Sequence, residues 1–126
     1  MIHLDTHVAI WLYTKVDQAR IPDPLRRRFD TEPLAISPAV RLELSFLREI
    51  GRLVDAPGLL IADLTRAVGL RIDPTPFSTV TEVAEHLEFT RDPFDRLIAA
   101  QAVASGAELA TKDRAMRQHL PLAIWD

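Results

Sequence analysis

Four carboxylates, Asp5, Glu43, Asp95 and Asp113, lie in four separate segments of this 126-residue chain, and each local pattern turns its acid toward one common place. Asp5 ends a short N-terminal apolar run, Glu43 and Asp95 sit on segments with helical spacing, and Asp113 stands just past a later apolar run. Carboxylates brought together repel, so their gathering makes sense mainly around a hard divalent cation, Mg²⁺ with Mn²⁺ as the alternative. Such ions take oxygen ligands, keep several waters and are commonly shared with substrate phosphates. A pair of them can activate a water and stabilise the leaving oxygen during in-line attack on a phosphodiester. Two divalent ions would also cancel roughly four negative charges and let a polyanion approach. Hydrolysis of a nucleic-acid backbone is the chemistry these residues suggest.

The elements that must position the acids can be read from apolar spacing. Five short apolar runs read as strands: Ile2 to Leu4, Leu34 to Ile36, Leu70 to Ile72, Glu108 to Ala110, and Leu122 to Trp125. Longer segments with helical period lie between them, which predicts a three-layer α/β domain over residues 1–126, with a mainly parallel five-stranded sheet flanked by helices. Gly69 and Gly106 each stand between a helical segment and the next strand, where a C-terminal cap with positive φ is wanted. Pro38 behind Ser37 and Pro93 behind Asp92 read as first-turn prolines behind N-caps. No internal repeat, low-complexity tract or long linker divides the chain.

At about 100° per residue, helix Pro38 to Ile50 gathers Val40, Leu44, Phe46, Leu47 and Ile50 on one arc with Glu43 in its middle. Glu49 falls on the opposite side with Arg41, Ser45 and Arg52. An ionised carboxylate on a buried arc needs a cation, a strong hydrogen-bond set or a raised pKa, so Glu43 is a metal ligand, the partner of an arginine, or a side chain that reaches the rim. In helix Pro93 to Ser105, Asp95 shares a face with Ile98, Ala99 and Ala102, and the small residues there allow a close neighbour. The macrodipole favours an acid in a first turn whether or not it binds anything. Asp92 reads as the N-cap. Asp5 and Asp113 follow strands, where open parallel sheets bind ligands, yet each is equally a natural N-cap for the next helix. Four independent caps converging on one sheet edge are harder to explain than one site, and Thr6 and Thr111 add hydroxyls beside two of the acids.

Composition limits what the site serves. The formal net charge is −3, with 48% hydrophobic and 26% charged residues and no cysteine. Thiolate-ligated zinc and disulfides are excluded, and bulk electrostatic binding of nucleic acid is disfavoured. The N-terminus lacks the basic start and apolar stretch of a signal peptide, and no run of 18 apolar residues occurs, so a cytoplasmic protein without a membrane partner is expected. His3, His7, His86 and His119 show no mutual ligand spacing, although His7 is near Asp5. Arg26, Arg27 and Arg28 form the only basic run, read either as a solvated helix face or as a contact for phosphates or an acidic partner. Arg91, Arg96, Lys112 and Arg114 flank two of the acids and are candidates for phosphate positioning or plain surface charge. Trp11, Leu12 and Tyr13 read as core or interface residues.

The run Leu4-Asp5-Thr6-His7, the helix from Ser37-Pro38 to Glu43, the segment from Arg91 through Asp92, Asp95 and Arg96 to Ala102, and Thr111-Lys112-Asp113-Arg114 together resemble a PIN domain, and more narrowly a VapC-type toxin of a toxin–antitoxin pair. The resemblance implies a parallel sheet flanked by helices and an endoribonuclease whose acidic quartet, here Asp5, Glu43, Asp95 and Asp113, binds Mg²⁺ or Mn²⁺. Asp113 is implied to act directly or through water. Thr6, Thr111, Asp92 and Arg96 are possible accessories. It further implies an RNA substrate, a homodimer, and a cognate VapB-type antitoxin whose C-terminal segment wraps the chain.

Other folds also put aspartates at strand ends. Haloacid-dehalogenase-like domains need two aspartates one residue apart after the first strand, and receiver domains need an acidic pair there, whereas this chain has Asp5-Thr6-His7. An inactive PIN-like binding module would usually have lost a site acid, and none is missing. Action on DNA or in RNA processing remains a reading within the nuclease class.

Overall fold

Parallel strands need crossovers of about a dozen residues or more, most often helical, and the stretches between the apolar runs have that length. The computed structural model, covering residues 1–126, alternates accordingly. Strand β1 (Ile2–Leu4) leads into helix α1 (Thr6–Tyr13), a 3₁₀ turn (Lys15–Arg20) and helix α2 (Asp23–Thr31). Strand β2 (Leu34–Ile36) is followed by α3 (Pro38–Glu49) and α4 (Pro57–Val68), then strand β3 (Arg71–Ile72), α5 (Phe77–Ala84) and α6 (Pro93–Ser105). Strand β4 (Glu108–Ala110), helix α7 (Arg114–His119) and strand β5 (Ala123–Ile124) complete the order.

The sheet runs β3-β2-β1-β4-β5 and every pairing is parallel, with Ile2 opposite Leu34 on one side and Glu108 on the other. Strands β1 and β2 are buried at every position, as strands covered on both faces are; β2 is wholly apolar, and β1 carries the buried His3 between Ile2 and Leu4. The edge strands are a residue or two shorter than the sequence pattern suggests, β3 starting at Arg71 and β5 spanning only Ala123–Ile124. From central β1 the chain builds one side of the sheet through β2 and β3, then crosses to the other through β4 and β5. The carboxyl ends of β1 and β4 therefore form a topological switch point, the usual crevice for a ligand.

Local signals hold where they were expected. Ser37 caps α3 by accepting from Ala39 N, Asp92 caps α6 by accepting from Asp95 N, and Gly69 and Gly106 close α4 and α6 at φ 68°. The core joins α1, α3, α4 and α6 to the sheet through Leu4, Val8, Val40, Leu44, Leu64 and Ile98. The wheel of α3 needs one correction: Val40, Leu44 and Leu47 are buried, but Phe46 and Ile50 are exposed. Phe46 keeps an aromatic neighbour in Phe94, with ring centres 6.0 Å apart. No helix is long and apolar enough to cross a membrane.

Candidate functional site

Each of the four acids begins or rides a helix that starts at the carboxyl edge of the sheet. Asp5 leaves β1 and caps α1, its Oδ1 accepting from Thr6 N at 2.8 Å. Asp113 leaves β4 by a short loop and caps α7, accepting from Met116 N at 2.9 Å. Both residues thus fill the cap role that the sequence allowed, and they face one cavity as well. That cavity, of about 450 Å³, is lined by Asp5, His7, Val8, Trp11, Glu43, Asp92, Asp95, Lys112 and Asp113. The four predicted acids are all there, each half-buried, whereas Glu49 and Asp92 are exposed.

Two buried threonine hydroxyls orient the carboxylates. Thr111 Oγ1 donates to Asp5 Oδ2 at 2.7 Å and accepts from Asp113 N at 3.0 Å, tying the ends of β1 and β4 together. Thr6 Oγ1 donates to Glu43 Oε1 in a short contact, linking α1 to α3. Asp95 differs, in that no donor lowers its proton affinity. Burial, followed by the charges of Asp92, Asp5, Asp113 and Glu43, raises its pKa to about 7. Burial also raises Asp5 against its hydrogen bonds from Thr111 and Thr6, with Asp113 adding a smaller upward push. Glu43 is raised by burial, with Asp5 adding to it, while the Thr6 hydroxyl and His7 oppose the rise. Three carboxyls in one crevice therefore hold protons more tightly than acids in water.

An all-oxygen, acid-rich donor set suits a hard divalent cation. In the side-chain positions seen, no three of these groups stand together as a ligand set. Direct ligation by three of them thus requires a carboxylate to turn, and Glu43 and Asp95, on helix faces, have the rotamers to do so. Ligation by one or two carboxylates, the rest acting through water, is also ordinary for Mg²⁺.

The other candidates divide. Thr6 and Thr111 orient the acids, and Asp92 caps α6 at the rim. Arg96 turns away, donating to Ala84 O at 2.7 Å and so capping the end of α5. In the basic run, Arg28 pairs with Glu32 and Glu108 and Arg26 with Asp23, which makes that run an ion-paired helix face. The cavity also recruits residues given no firm role from sequence. Trp11 packs edge-on to Trp125 at 5.9 Å, with the Lys112 ammonium 5.9 Å and the Arg20 guanidinium 5.7 Å from its ring centre. Spacing of four after His7 would have put Trp11 on the same turn-face of α1.

A second group of polar side chains, wholly buried, was missed. His3, Ser37, Asp73 and Gln101 are all at most 3% exposed. Asp73 accepts from His3, Gln101 and the Thr75 amide. The signal for Asp73 was the one that pointed to Asp5, an acid directly after an apolar strand run.

Comparison with known proteins agrees with this geometry. The family profile of the PIN domain matches residues 2–119. Ribonuclease VapC22 of Mycobacterium tuberculosis (strain ATCC 25618 / H37Rv) is 34% identical over 131 aligned residues, covering 97% of this chain and 96% of that protein. Among solved structures, VapBC2 from Rickettsia felis bound to a DNA fragment from their promoter superposes with a TM-score of 0.67 at 22% identity, over 100% of both chains. A profile match over most of the length, with a relative of this identity end to end, shows that the chain belongs to the PIN domain family, in its VapC group.

Proposed function

We propose that this chain is a metal-dependent endoribonuclease, the toxin of a type II toxin–antitoxin pair, which hydrolyses RNA phosphodiester bonds with Mg²⁺ or Mn²⁺ held by Asp5, Glu43, Asp95 and Asp113. The observation that carries this reading is the shared crevice at the β1/β4 switch point, where Asp5, Glu43 and Asp95 all hold protons above their ordinary range because they are buried together. A relative of 34% identity bearing the name ribonuclease supports the reaction class.

When bound, a divalent ion supplies a Lewis acid for the phosphodiester and lowers the pKa of a water. The chain's own residues supply position and charge. Thr111 and the Thr6 amide hold the Asp5 carboxylate in one orientation, and Thr6 holds one oxygen of Glu43. Asp95, raised by burial and by its acidic neighbours with no donor to oppose them, keeps its carboxylate available to the ion or to a water on it. At the rim, Lys112 is exposed over Trp11 and gives a phosphate oxygen a cationic partner on an otherwise acidic surface. A cognate VapB-type antitoxin and a homodimer belong to this proposal through the VapC resemblance.

The test is incubation of the purified chain with a panel of structured RNAs, with Mg²⁺, Mn²⁺ or EDTA. Discrete internal cleavage with either ion and none with EDTA is expected. Cleavage that persists in EDTA, or an intact panel under all conditions, overturns the proposal.

A further inference from the structure

We infer that the buried network around Asp73 is the positioning element of the acidic crevice: it locks α3 against α6 and β1, and thereby fixes where Glu43 and Asp95 stand relative to Asp5. The network lies on three of the elements that carry the acids. His3 is on β1, two residues before Asp5; Ser37 caps α3, six before Glu43; Gln101 is on α6, six after Asp95. Six residues of helix are about 9 Å of rigid rod. A shift at Ser37 or Gln101 is therefore delivered to the acid on the same helix.

The bonds fix direction as well as distance. Asp73 Oδ2 accepts from His3 Nε2 at 2.9 Å, while Oδ1 accepts from Gln101 Nε2 at 3.0 Å and Thr75 N at 2.8 Å. Gln101 thus points its amide nitrogen at Asp73 and its oxygen at Ser37, whose hydroxyl donates to it at 3.1 Å. Ser37 Oγ in turn accepts from Ala39 N at 3.0 Å. With an ionised carboxylate at one end and a helix amide at the other, the chain of donors has one polarity and cannot reverse. His3 reaches Asp73 across β2 at the level of Ala35, its partner in register, whose methyl side chain leaves the sheet face open. Apolar side chains of similar volume would often stabilise such a site as well or better. What a saturated polar network adds is a single register between the packed elements.

The metal readout below rests on the proposed function; the distance readout does not. The chain has no cysteine, so spin labels at Arg48→Cys on α3 and Val103→Cys on α6, both exposed positions, report the spacing of these helices by pulsed EPR. Mn²⁺ affinity is measured on the unlabelled full chain by the loss of the free-ion EPR signal. In Gln101→Leu and Ser37→Ala, the distance distribution should shift or broaden by about 1–2 Å and Mn²⁺ should bind roughly tenfold more weakly. Ser37→Thr, which keeps the hydroxyl, should restore both. Ser37→Ala removes only one hydroxyl and keeps the test open if Gln101→Leu fails to fold. Variants that melt earlier but keep the parent distance and the parent Mn²⁺ affinity would overturn the inference and reduce the network to a stabilising one. If the parent chain itself binds no Mn²⁺, the metal reading fails separately, and the interhelix distance alone decides the positioning role.

Discussion

Two aspartates, Asp73 just past β3 and Asp95 in the first turn of α6, meet opposite fates. Asp73 is buried at the end of β3, yet donors from His3, Gln101 and Thr75 hold its pKa down to about 2. Asp95 is only half-buried, yet with no donor and four acidic neighbours it is pushed up to about 7. Burial raises both; the donors decide the outcome. Asp73 serves the fold and is bonded by three donors, whereas Asp95 stands without one among other acids, at a cost to stability.

The most severe break in this contrast comes on the functional side. Asp5→Asn keeps the cap, because Asn caps helices as well as Asp, and removes the charge nearest the switch point. Metal-dependent RNA cleavage should fall about a thousandfold, or about 4 kcal/mol of transition-state stabilisation, with the far-UV circular dichroism spectrum unchanged. Cleavage by the variant at the parent rate, with the ion still required, removes Asp5 from the mechanism. On the structural side, Asp73→Ala leaves three buried donors facing no acceptor, so urea unfolding should show a loss of about 3 kcal/mol. A loss under about 1 kcal/mol would mean that water takes over these bonds and that Asp73 is not the structural counterpart drawn here.

The third test reverses the sign. Asp95 has a folded-state pKa of about 7 against an ordinary 3.8, so its ionisation opposes folding: the acid is harmless below about pH 4, costs progressively more as pH rises toward 7, and costs the full amount above that. Without added metal, Asp95→Asn should therefore be more stable than the parent at pH 8, by about 1 kcal/mol after allowance for partial exposure, and no more stable at pH 4. Asp73 has the opposite sign. Its stabilisation is present above pH 3.8 and is lost as pH falls toward 2, and His3, held neutral by burial, adds destabilisation as pH falls below 6.5. Thermal melts of parent and variant at several pH values separate the two regions; parallel curves for the two proteins would deny the crowding of the acids.

Much of the functional region was legible in the sequence because each acid had a local signature. Asp5 and Asp113 sit at strand-to-helix junctions and Asp92 at the start of α6, all of which helix-capping rules identify, and Glu43 interrupts an apolar arc. The alternation of short apolar runs with helical segments was enough for the parallel sheet. Asp73 shared the signal of Asp5, but the network around it was not legible, because its members are separated by 28 to 70 residues and its other members do not look unusual alone. His3 sits inside a strand run and Gln101 among alanines, and only the strand order brings them to one point. Arg96 misled for the complementary reason: its neighbours in sequence are acids, but its helix turns it toward α5, where the Ala84 carbonyl receives it.

The finest distinction concerns Asp92 and Asp95, three residues apart on α6. Asp92 spends one oxygen on Asp95 N as the cap of the helix and lies exposed at the rim, while Asp95 turns inward. Asp92→Asn should leave stability within about 0.5 kcal/mol of the parent, since Asn is as good a cap. It should still move Asp95, because the Asp92 charge is the largest contribution after burial to the raised proton affinity there. Followed by carboxyl ¹³C shifts on the metal-free chain, Asp95 should then titrate below about 7, with its residual elevation coming from burial and from Asp5, Asp113 and Glu43. An Asp95 titration identical in parent and variant would show that Asp92 does not feel the crevice at all, and the rim would have to be drawn inside it.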